Sequence, residues 1–477
     1  MGAGAELRFA GTRIELTPPP GLPLAGYGAR GDAVAVGVHD PLEAVILSLL
    51  DTRPGGERAT WVVLDAVAAD AELARAVAGA VGAALDCPPA SILVSATHTH
   101  SGPAGWIRRV HPAFPDGADD GMRVELVRRV REAAARLAGT EQDVRILVAD
   151  GPAPGVGTNR TDQAGPHDAS AGLLALIEAS GGVAGLLVDY ASHATVLGHD
   201  NLRWSADWPG AARRALTAAL ATSRPFAEGD RSGPACEPTV AVVQGAAGDA
   251  SPRFVRRAQS FSEADRLGGL LAAHALRALL TAWPAAEPVP RLVVRRDTFI
   301  LRTRPLPSPA AARRLASREE ATWRATAAAK GPGPQERIAR TRHEGAELLA
   351  RVAEVGLPEQ LDLPATVVAL GDDAWLHLPV ELFASFGLAI RAGSPFARTR
   401  VIGYTDGYVG YVADRVAHEA GAYEAAASLF DAAAGSRLAD ASIGLLRRVH
   451  AELRSSPGAM SGSLDGIARA AAGGKLP

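Results

Sequence analysis

Two histidines separated by one residue, His98 and His100, are the part of the sequence best suited to chemistry. They lie in a run of threonine, serine, glycine and proline that follows the apolar segment 92–94. Alternate residues of an extended segment point to the same side, so both imidazoles are expected to face one pocket. Histidine binds zinc and is the usual acid or base near neutral pH. The pair therefore predicts a metal site or a catalytic site, although two hydrogen-bonded loop histidines would fit the same pattern.

Four more polar residues follow predicted strands elsewhere in the chain, and these are His193, Ser251, Glu381 and Tyr411. Strand ends in α/β proteins commonly form the ligand-binding edge of a sheet, so the four are expected to join the histidine pair. Two histidines and a carboxylate are a usual ligand set for catalytic zinc, which keeps one position open for water. Glu381 is expected to open a helix, where the helix dipole would favour a carboxylate without any catalytic role.

Two further polar residues have both a functional and a structural interpretation. Arg160 follows Asn159 in the polar loop 155–167, where its guanidinium is placed to meet an anion or a carbonyl group. A solvated surface arginine fits the same loop. Asp207 precedes Trp208 and Pro209 at the start of an alanine-rich helix, which predicts a helix N-cap.

Strands and helices alternate around these motifs. Helix 71–85 lies between strands 61–64 and 92–96, which predicts a βαβ unit. Two strand pairs separated by short turns predict hairpins, at 173–177 with 183–190 and at 363–370 with 374–378. Further helices are predicted at 122–138 and 262–280, and a helical hairpin is predicted at 308–355 with a break at 331–334.

Composition excludes several classes of protein. The 477 residues carry a net charge of −3, which argues against nucleic acid or an anionic membrane surface as the main partner. No uninterrupted apolar stretch reaches the length of a membrane span, and the N-terminus lacks the pattern of a secretory signal. Cys87 and Cys236 are too few for a disulfide framework and are expected to be reduced, which predicts a cytoplasmic location.

Several short motifs in order along residues 5–430 resemble the neutral/alkaline ceramidase family. The most specific is the string THTHSGP at 97–103, and it is followed by Asn159-Arg160 and by His193 after a strand. The later motifs are GDASP at 248–252, PVE at 379–381 and YVGY at 408–411, with Tyr423 twelve residues after Tyr411.

The resemblance implies an α/β fold in which mixed β-sheets are flanked by helices. It implies one large zinc-hydrolase catalytic domain over 1–455, with 308–355 as a helical insertion. The immunoglobulin-like domain that usually follows in this family is expected to be absent, and 456–477 is expected to be a flexible tail. The implied zinc ligands are His98, His193, Glu381 and Tyr411. The implied residues around the scissile amide are His100, Arg160 and Tyr423, and Ser251 matches a serine once regarded as the nucleophile.

The implied activity is zinc-dependent hydrolysis of an N-acyl bond in a lipid or small-molecule amide, as in sphingolipid metabolism. Two departures from the family leave the substrate open: SADWPG stands at 205–210 and Asp-Gly-Tyr at 406–408, where the family tends toward Gly-Asp-Asn and Asn-acidic-Tyr sequences. The alternatives are a hydrolase of a smaller intracellular N-acyl metabolite or ester, and a non-catalytic binding protein on the same scaffold. A serine hydrolase acting through Ser251 is less favoured, because no adjacent base is visible in the sequence.

Overall fold

The structure is a computed structural model, and it describes residues 6–227, 237–282, 289–331 and 333–455. The predicted tail 456–477 and Cys236 lie outside these ranges. In the described ranges the strands are β1 Leu7–Glu15, β2 Gly37–Val38, β3 Glu43–Asp51, β4 Arg58–Leu64, β5 Ile92–Ala96, β6 Gln142–Pro152, β7 Thr158–Asn159, β8 Ser170–Glu178, β9 Val183–Tyr190, β10 Arg203–Trp204, β11 Thr239–Gln244, β12 Ala250–Ser251, β13 Leu292–Arg302, β14 Gln360–Leu370, β15 Asp373–His377, β16 Glu381–Leu382, β17 Arg398–Ile402 and β18 Tyr411–Val412. The α-helices of the same ranges are α1 Ala71–Leu85, α2 Asp120–Ala135, α3 Asp207–Ala221, α4 Phe261–Thr281, α5 Pro309–Lys330, α6 Pro334–Val355, α7 Ala384–Gly393, α8 Arg415–Ala420, α9 Tyr423–Ala427 and α10 Ala434–Ser455.

Two mixed sheets form the centre of the described structure. The larger has eight strands in the order β11-β9-β8-β6-β1-β3-β4-β5, and the smaller has four in the order β13-β14-β15-β17. Most neighbours are antiparallel, but β4 with β5, β9 with β11 and β15 with β17 are parallel. A mixed sheet of this kind confirms the predicted fold class, and both predicted hairpins are present as β8-β9 and β14-β15.

The two sheets pack face to face across a shared apolar layer, and β3 shows how its residues divide between the two faces. Val45, Leu47 and Leu49 point toward the smaller sheet and contact the layer that includes its side chains. Ala44 and Ile46 point the other way and pack against the helices α1 and α2. Because both faces of the strand are covered, its apolar run is nearly continuous rather than alternating.

Helices cover the outer face of each sheet. The helices α1 to α4 lie on the larger sheet, and α7 and α10 lie on the smaller one. The order of layers is therefore helix, sheet, sheet, helix. Helix α1 and strand β5 have the bounds that the sequence predicts, because Asp70 caps the helix through the backbone N–H groups of Glu72 and Leu73 and an αL residue, Asp86, ends it.

The helical hairpin predicted at 308–355 is present as α5 and α6, which pack on each other. Helix α6 also packs against α9, the short helix that begins at Tyr423. Among the residues described, no helix is both long enough and apolar enough to cross a bilayer.

Candidate active site

The ends of strands from both sheets meet at one place. At the end of β5, the backbone N–H of Ala96 donates to the carbonyl oxygen of Tyr404, which follows β17, at 3.1 Å. The N–H of Gly403 donates to the carbonyl oxygen of Gln244, the last residue of β11, at 3.0 Å. These bonds join the ends of both outer strands of the larger sheet, β5 and β11, to the segment that follows β17 in the smaller sheet. Side chains that follow the strands are thereby held around a common centre.

Three buried histidines converge at this centre. Ligand nitrogens of His98, His100 and His193 all lie within 4.8 Å of one another, and the Nε2 atoms of His98 and His100 are 3.2 Å apart. The expected convergence of the pair is present, but the extended backbone assumed for it is wrong. His98 has φ of +61°, in the left-handed region, so the chain turns at this residue.

Glu381 brings a carboxylate to the same centre from the smaller sheet. Its Oε2 atom is 3.4 Å from His98 Nε2 and 3.1 Å from His193 Nε2. The expectation that Glu381 opens a helix is wrong, since it lies in β16 and α7 begins only at Ala384. Strand β16 pairs in parallel with β18, and this register places Glu381 directly beside Tyr411.

Two tyrosines that sequence reasoning did not assign also contact this carboxylate. The hydroxyl of Tyr408 donates a short hydrogen bond to Glu381 Oε1, and the hydroxyl of Tyr404 donates to Oε2 at 3.4 Å. Tyr404 also lies against His98, with ring centroids 4.2 Å apart. The string YVGY at 408–411 held the signal for Tyr408, but only its second tyrosine was interpreted.

The orientation of two imidazole rings is fixed by backbone carbonyl groups. His98 Nδ1 is 2.6 Å from the carbonyl oxygen of Val67, and His193 Nδ1 is 2.7 Å from that of Ala247. A carbonyl oxygen only accepts, so each Nδ1 carries the hydrogen and each Nε2 presents its lone pair to the centre. With its hydrogen on Nδ1, His193 has none at Nε2 to share with Glu381 Oε2 at 3.1 Å, and within the described ranges this buried Nε2 has no hydrogen-bond partner. Two such nitrogens beside a carboxylate fit a metal ion of the zinc type.

The protonation states at the centre agree with that chemistry. Burial lowers the pKa of His193 to about 3 and lowers the pKa of His100 well below its usual value, so both rings are neutral near pH 7. Burial by itself raises the pKa of Glu381, but the adjacent His98 and His193 outweigh it and the net pKa lies well below the usual value. Neutral imidazoles and an ionised carboxylate are the forms that bind metals.

His100 differs from its two histidine neighbours in how it is held. In the described part of the chain its buried Nδ1 has no hydrogen-bond partner, whereas the Nδ1 atoms of His98 and His193 are anchored. Its ring packs under the loop that carries Tyr27, with ring centroids 4.8 Å apart. Arg30 donates from Nη1 to the carbonyl oxygen of His100 at 3.0 Å. The ring is thus confined by packing and by the contact of its Nε2 with His98 Nε2, while its Nδ1 stays available for proton transfer.

Substitution of Gly26 by alanine is expected to disturb His100 selectively. Gly26 has φ of +96°, and an added Cβ would lie 2.5 Å from His100 Cγ. The backbone strain alone costs about 1–2 kcal/mol, and overpacking adds about 1–3 kcal/mol. We expect a lower midpoint in urea unfolding and a reduced turnover number. The matched control is Gly28→Ala, where a Cβ meets nothing within 4 Å; equal behaviour of the two variants would contradict the packing assigned to His100.

Arg160, Tyr411 and Tyr423 are brought together on one side of the centre. The Arg160 guanidinium carbon lies 5.5 Å from the centroid of the Tyr411 ring, and the Tyr423 ring crosses the Tyr411 ring at 77° with centroids 6.2 Å apart. The Tyr411 ring stacks on that of His193 at 6.4 Å. Burial raises the pKa of Tyr423 to about 12, so its hydroxyl keeps its proton. These residues surround the space next to the histidines with hydrogen-bond donors.

Glu424 is a further residue that sequence reasoning missed, although it adjoins Tyr423. Its Oε1 atom is 2.7 Å from Arg160 Nε, and both side chains are about nine-tenths buried. A buried guanidinium requires a nearby counter-charge, which Glu424 supplies. Because the contact is made through Nε, the pair also limits the orientation of the Arg160 guanidinium.

Replacement of Glu424 by glutamine is expected to leave Arg160 buried without a counter-charge. Breaking a buried ion pair from one side costs about 3–5 kcal/mol, so the free energy of unfolding should fall by about that amount. Glu419→Gln is the control, because Glu419 is an exposed carboxylate on α8 and its loss should change stability by no more than about 0.5 kcal/mol. Chemical unfolding of the two variants measures the difference, and a similar stability for both would exclude the proposed dependence of Arg160 on Glu424.

Ser251 lies beside the centre in a structural setting. Its hydroxyl oxygen accepts from the backbone N–H of Arg253 at 3.3 Å and caps a short 3-10 helix. No histidine of the described ranges forms a hydrogen bond to this hydroxyl. Strand β12, which contains Ser251, pairs with β7 and so holds the loop that leads to Arg160.

Asp249 and Asp207 shape the backbone around the centre. Asp249 accepts from Asn159 Nδ2 at 2.8 Å and from the N–H of Ala384 at 2.7 Å, and so links the Arg160 loop to the start of α7. The N-cap prediction for Asp207 is wrong, since the cap residue is Ala206 and Asp207 has φ of +54°. Its carboxylate instead accepts from the backbone N–H groups of Val196, Leu197 and Trp208, close to His193.

The fold matches that of known ceramidase structures. The neutral ceramidase from Pseudomonas aeruginosa aligns with a TM-score of 0.70 at 19% identity, covering 94% of this chain and 75% of that one. A ceramidase complexed with C2 aligns with a TM-score of 0.69 at 18% identity, covering 97% and 78%. No protein-family model matches the sequence, and no curated protein does. At this identity the comparison confirms the predicted resemblance for the fold.

Proposed function

We propose that this protein is a zinc-dependent amide hydrolase that cleaves the N-acyl bond of a ceramide-like or smaller N-acyl compound. The observation that carries the proposal is the convergence of three buried side chains, in which Glu381 Oε2 lies 3.4 Å from His98 Nε2 and 3.1 Å from His193 Nε2. The fold of the ceramidase structures supports the same reaction class. The catalytic unit is proposed to comprise residues 1–455.

We assign the zinc ligands to His98, His193, Glu381 and Tyr411. The two histidines have the anchored Nδ1 atoms that are usual for metal-binding imidazoles, and Tyr411 lies beside Glu381 in the strand register. A zinc ion held by this set would act as a Lewis acid, lowering the pKa of water and polarising an amide carbonyl. Tyr404 and Tyr408 hold the Glu381 carboxylate in place through their hydroxyl groups.

The remaining polar residues are assigned to the amide itself. His100 is neutral and its nitrogens are not engaged by carbonyl groups, so it can take a proton from water and pass it to the leaving amine. Arg160 has a buried Nη2 without a hydrogen-bond partner among the described residues, and it is positioned to donate to the developing oxyanion together with Tyr423. One such donor typically contributes about 2.7–4 kcal/mol in the transition state.

The alternatives are separated by specific features. A serine hydrolase is disfavoured because the hydroxyl of Ser251 accepts a backbone hydrogen bond and its described contacts include no base. A non-catalytic binding protein is disfavoured by the number of acid, base and donor groups that share one buried centre. The cytoplasmic location stays a prediction.

The direct test is hydrolysis of a panel of N-acyl compounds by the metal-replete protein, with products identified by mass. The panel should include ceramides of several chain lengths, N-acylethanolamines and N-acyl amino acids. We expect a free acid and a free amine from at least one member. Cleavage of esters alone, with every amide left intact, would replace the amidase assignment with an esterase.

A further inference from the structure

Three arginines that form no ion pair with any described residue border the active centre, and we call Arg253, Arg256 and Arg337 the arginine rim. Arg253 donates from Nη1 to the carbonyl oxygen of Arg160 at 3.1 Å. Arg256 donates from Nη1 to the carbonyl oxygens that follow His193, those of Thr195 and Val196. The rim is therefore attached to two of the segments that form the site.

The third member comes from a different part of the chain. Arg337 is exposed in the first turn of α6, the second helix of the helical hairpin. Repulsion from Arg337 is among the causes that lower the pKa values of Arg253 and Arg256, which agrees with a position of Arg337 on the same side of the site. Helix α6 also packs against α9, which carries Tyr423. The rim thus spans the side of the site that the helical hairpin borders.

No carboxylate of the described residues lies within ion-pair distance of a rim arginine, whereas surface arginines elsewhere in the described structure are commonly paired. Among the described residues, Arg160 forms an ion pair with Glu424, whereas none of the three rim arginines forms one. Arg128 on α2 shows the usual arrangement, with Glu125 and Glu132 each 2.6 Å away.

The acidic residues nearest to Arg256 do not neutralise the rim. Asp207 is buried and its oxygens are occupied by three backbone N–H groups, and Asp200 is exposed on the loop after His193. Partial desolvation lowers the pKa of Arg253 to about 10 although the residue keeps an exposed surface; repulsion from Arg160, Arg337 and Arg256 adds to the shift, and attraction to Glu424 opposes it. The guanidinium groups remain charged at pH 7, so their mutual repulsion is present in the folded protein. An anion placed among them would relieve that repulsion.

We propose that the substrate of this site carries an oxyanion, a carboxylate or a phosphate, that the arginine rim binds while the amide lies at the histidines. Guanidinium groups bind both anions through paired N–H donors, and a cleft lined by one sign of charge concentrates ligands of the opposite sign. The inference rests on the proposed amide hydrolysis and narrows it to acidic N-acyl compounds. An uncharged ceramide offers no group for the rim.

The test compares three substrates with the same acyl chain on the metal-replete protein. N-lauroylglycine carries a carboxylate, the phosphate ester of N-lauroylethanolamine carries a phosphate, and N-lauroylethanolamine is neutral. We expect a higher kcat/KM for at least one acidic compound, and which one it is identifies the anion. In Arg337→Gln and in Arg253→Gln the ratio of acidic to neutral kcat/KM should fall about tenfold, as expected for losing one partly screened charge-assisted hydrogen bond. Arg131→Gln removes an equal charge from an exposed site on α2 and should leave the ratio unchanged.

Binding separates a failure of this inference from a failure of the proposed hydrolysis. Ketone analogues, in which a CH₂ group replaces the amide N–H, bind without being cleaved and can be titrated by calorimetry. Tighter binding of an acidic analogue, weakened in Arg337→Gln, would support the rim even if no amide were hydrolysed. Equal affinity for acidic and neutral analogues, or a preference unchanged in both rim variants, would overturn the inference and leave amide hydrolysis standing.

Discussion

His98→Ala is expected to lose the bound zinc and the hydrolytic activity together. The substitution removes one Nε2 from a centre in which the Glu381 carboxylate lies 3.4 Å away, and the remaining donors no longer complete the set. The loss of turnover should exceed the about 10²–10⁴-fold that one acid or base contributes, because the metal's own contribution disappears as well. Elemental analysis after dialysis, paired with a turnover assay, measures both effects.

The result depends on folding being preserved, so the circular dichroism spectrum and the unfolding midpoint must be recorded beside it. His377→Ala is a useful control, because His377 is also a buried histidine, but it accepts from Trp61 of the larger sheet and contacts the carbonyl oxygen of Thr366 in its own sheet. That variant should lose stability and retain zinc. A His98→Ala protein that binds zinc with full stoichiometry would remove His98 from the ligand set.

His100→Ala is expected to fold, to retain zinc and to lose about 10²–10⁴-fold in turnover, the usual contribution of a positioned acid or base. The physical reason is the difference in anchoring between chemically identical neighbours. His98 and His193 have Nδ1 fixed by carbonyl oxygens, while His100 Nδ1 has no partner in the described ranges and the ring is held by packing and by the contact of its Nε2 with His98. The zinc content and the turnover number of the purified variant are the two measurements.

Both possible departures from this expectation are informative. Loss of zinc from His100→Ala to the same extent as from His98→Ala would make His100 a ligand, which the 3.2 Å separation of their Nε2 atoms permits. Full zinc and full turnover would make it a bystander. The proton would then have to travel through another group, and Tyr423 is the next candidate.

The sequence predicted which residues meet better than it predicted how they meet. His98, His193 and Glu381 each follow an apolar strand, and strand ends gather at sheet edges for general reasons of topology. The backbone of His98 and the strand that contains Glu381 were predicted wrongly, because a left-handed residue and a two-residue strand depend on contacts with distant segments. Contacts between distant segments are common in this region: the N–H of Asp406, for example, donates to the carbonyl oxygen of Val94, which lies in the larger sheet.

The residues that hold the site in place also differ in how far the sequence could predict them. Glu424, Asp249 and Tyr404 are separated in sequence from the groups they hold, so no local pattern reveals their partners. The apolar run of β3 is typical of a strand covered on both faces, but the run alone does not reveal that a second sheet covers one face and helices the other. The helix α1 was predictable to its last residue because its cap and its stop are both local.

The central claim is that zinc at this centre cleaves an amide, and one measurement tests it most directly. Release of amine from an N-acyl substrate should be followed with the purified protein as isolated, after removal of metal by a chelator, and after addition of one equivalent of zinc per chain. We predict activity that disappears on chelation and returns with zinc. Activity that persists in the metal-free protein would contradict the account, as would full zinc occupancy without cleavage of any N-acyl compound.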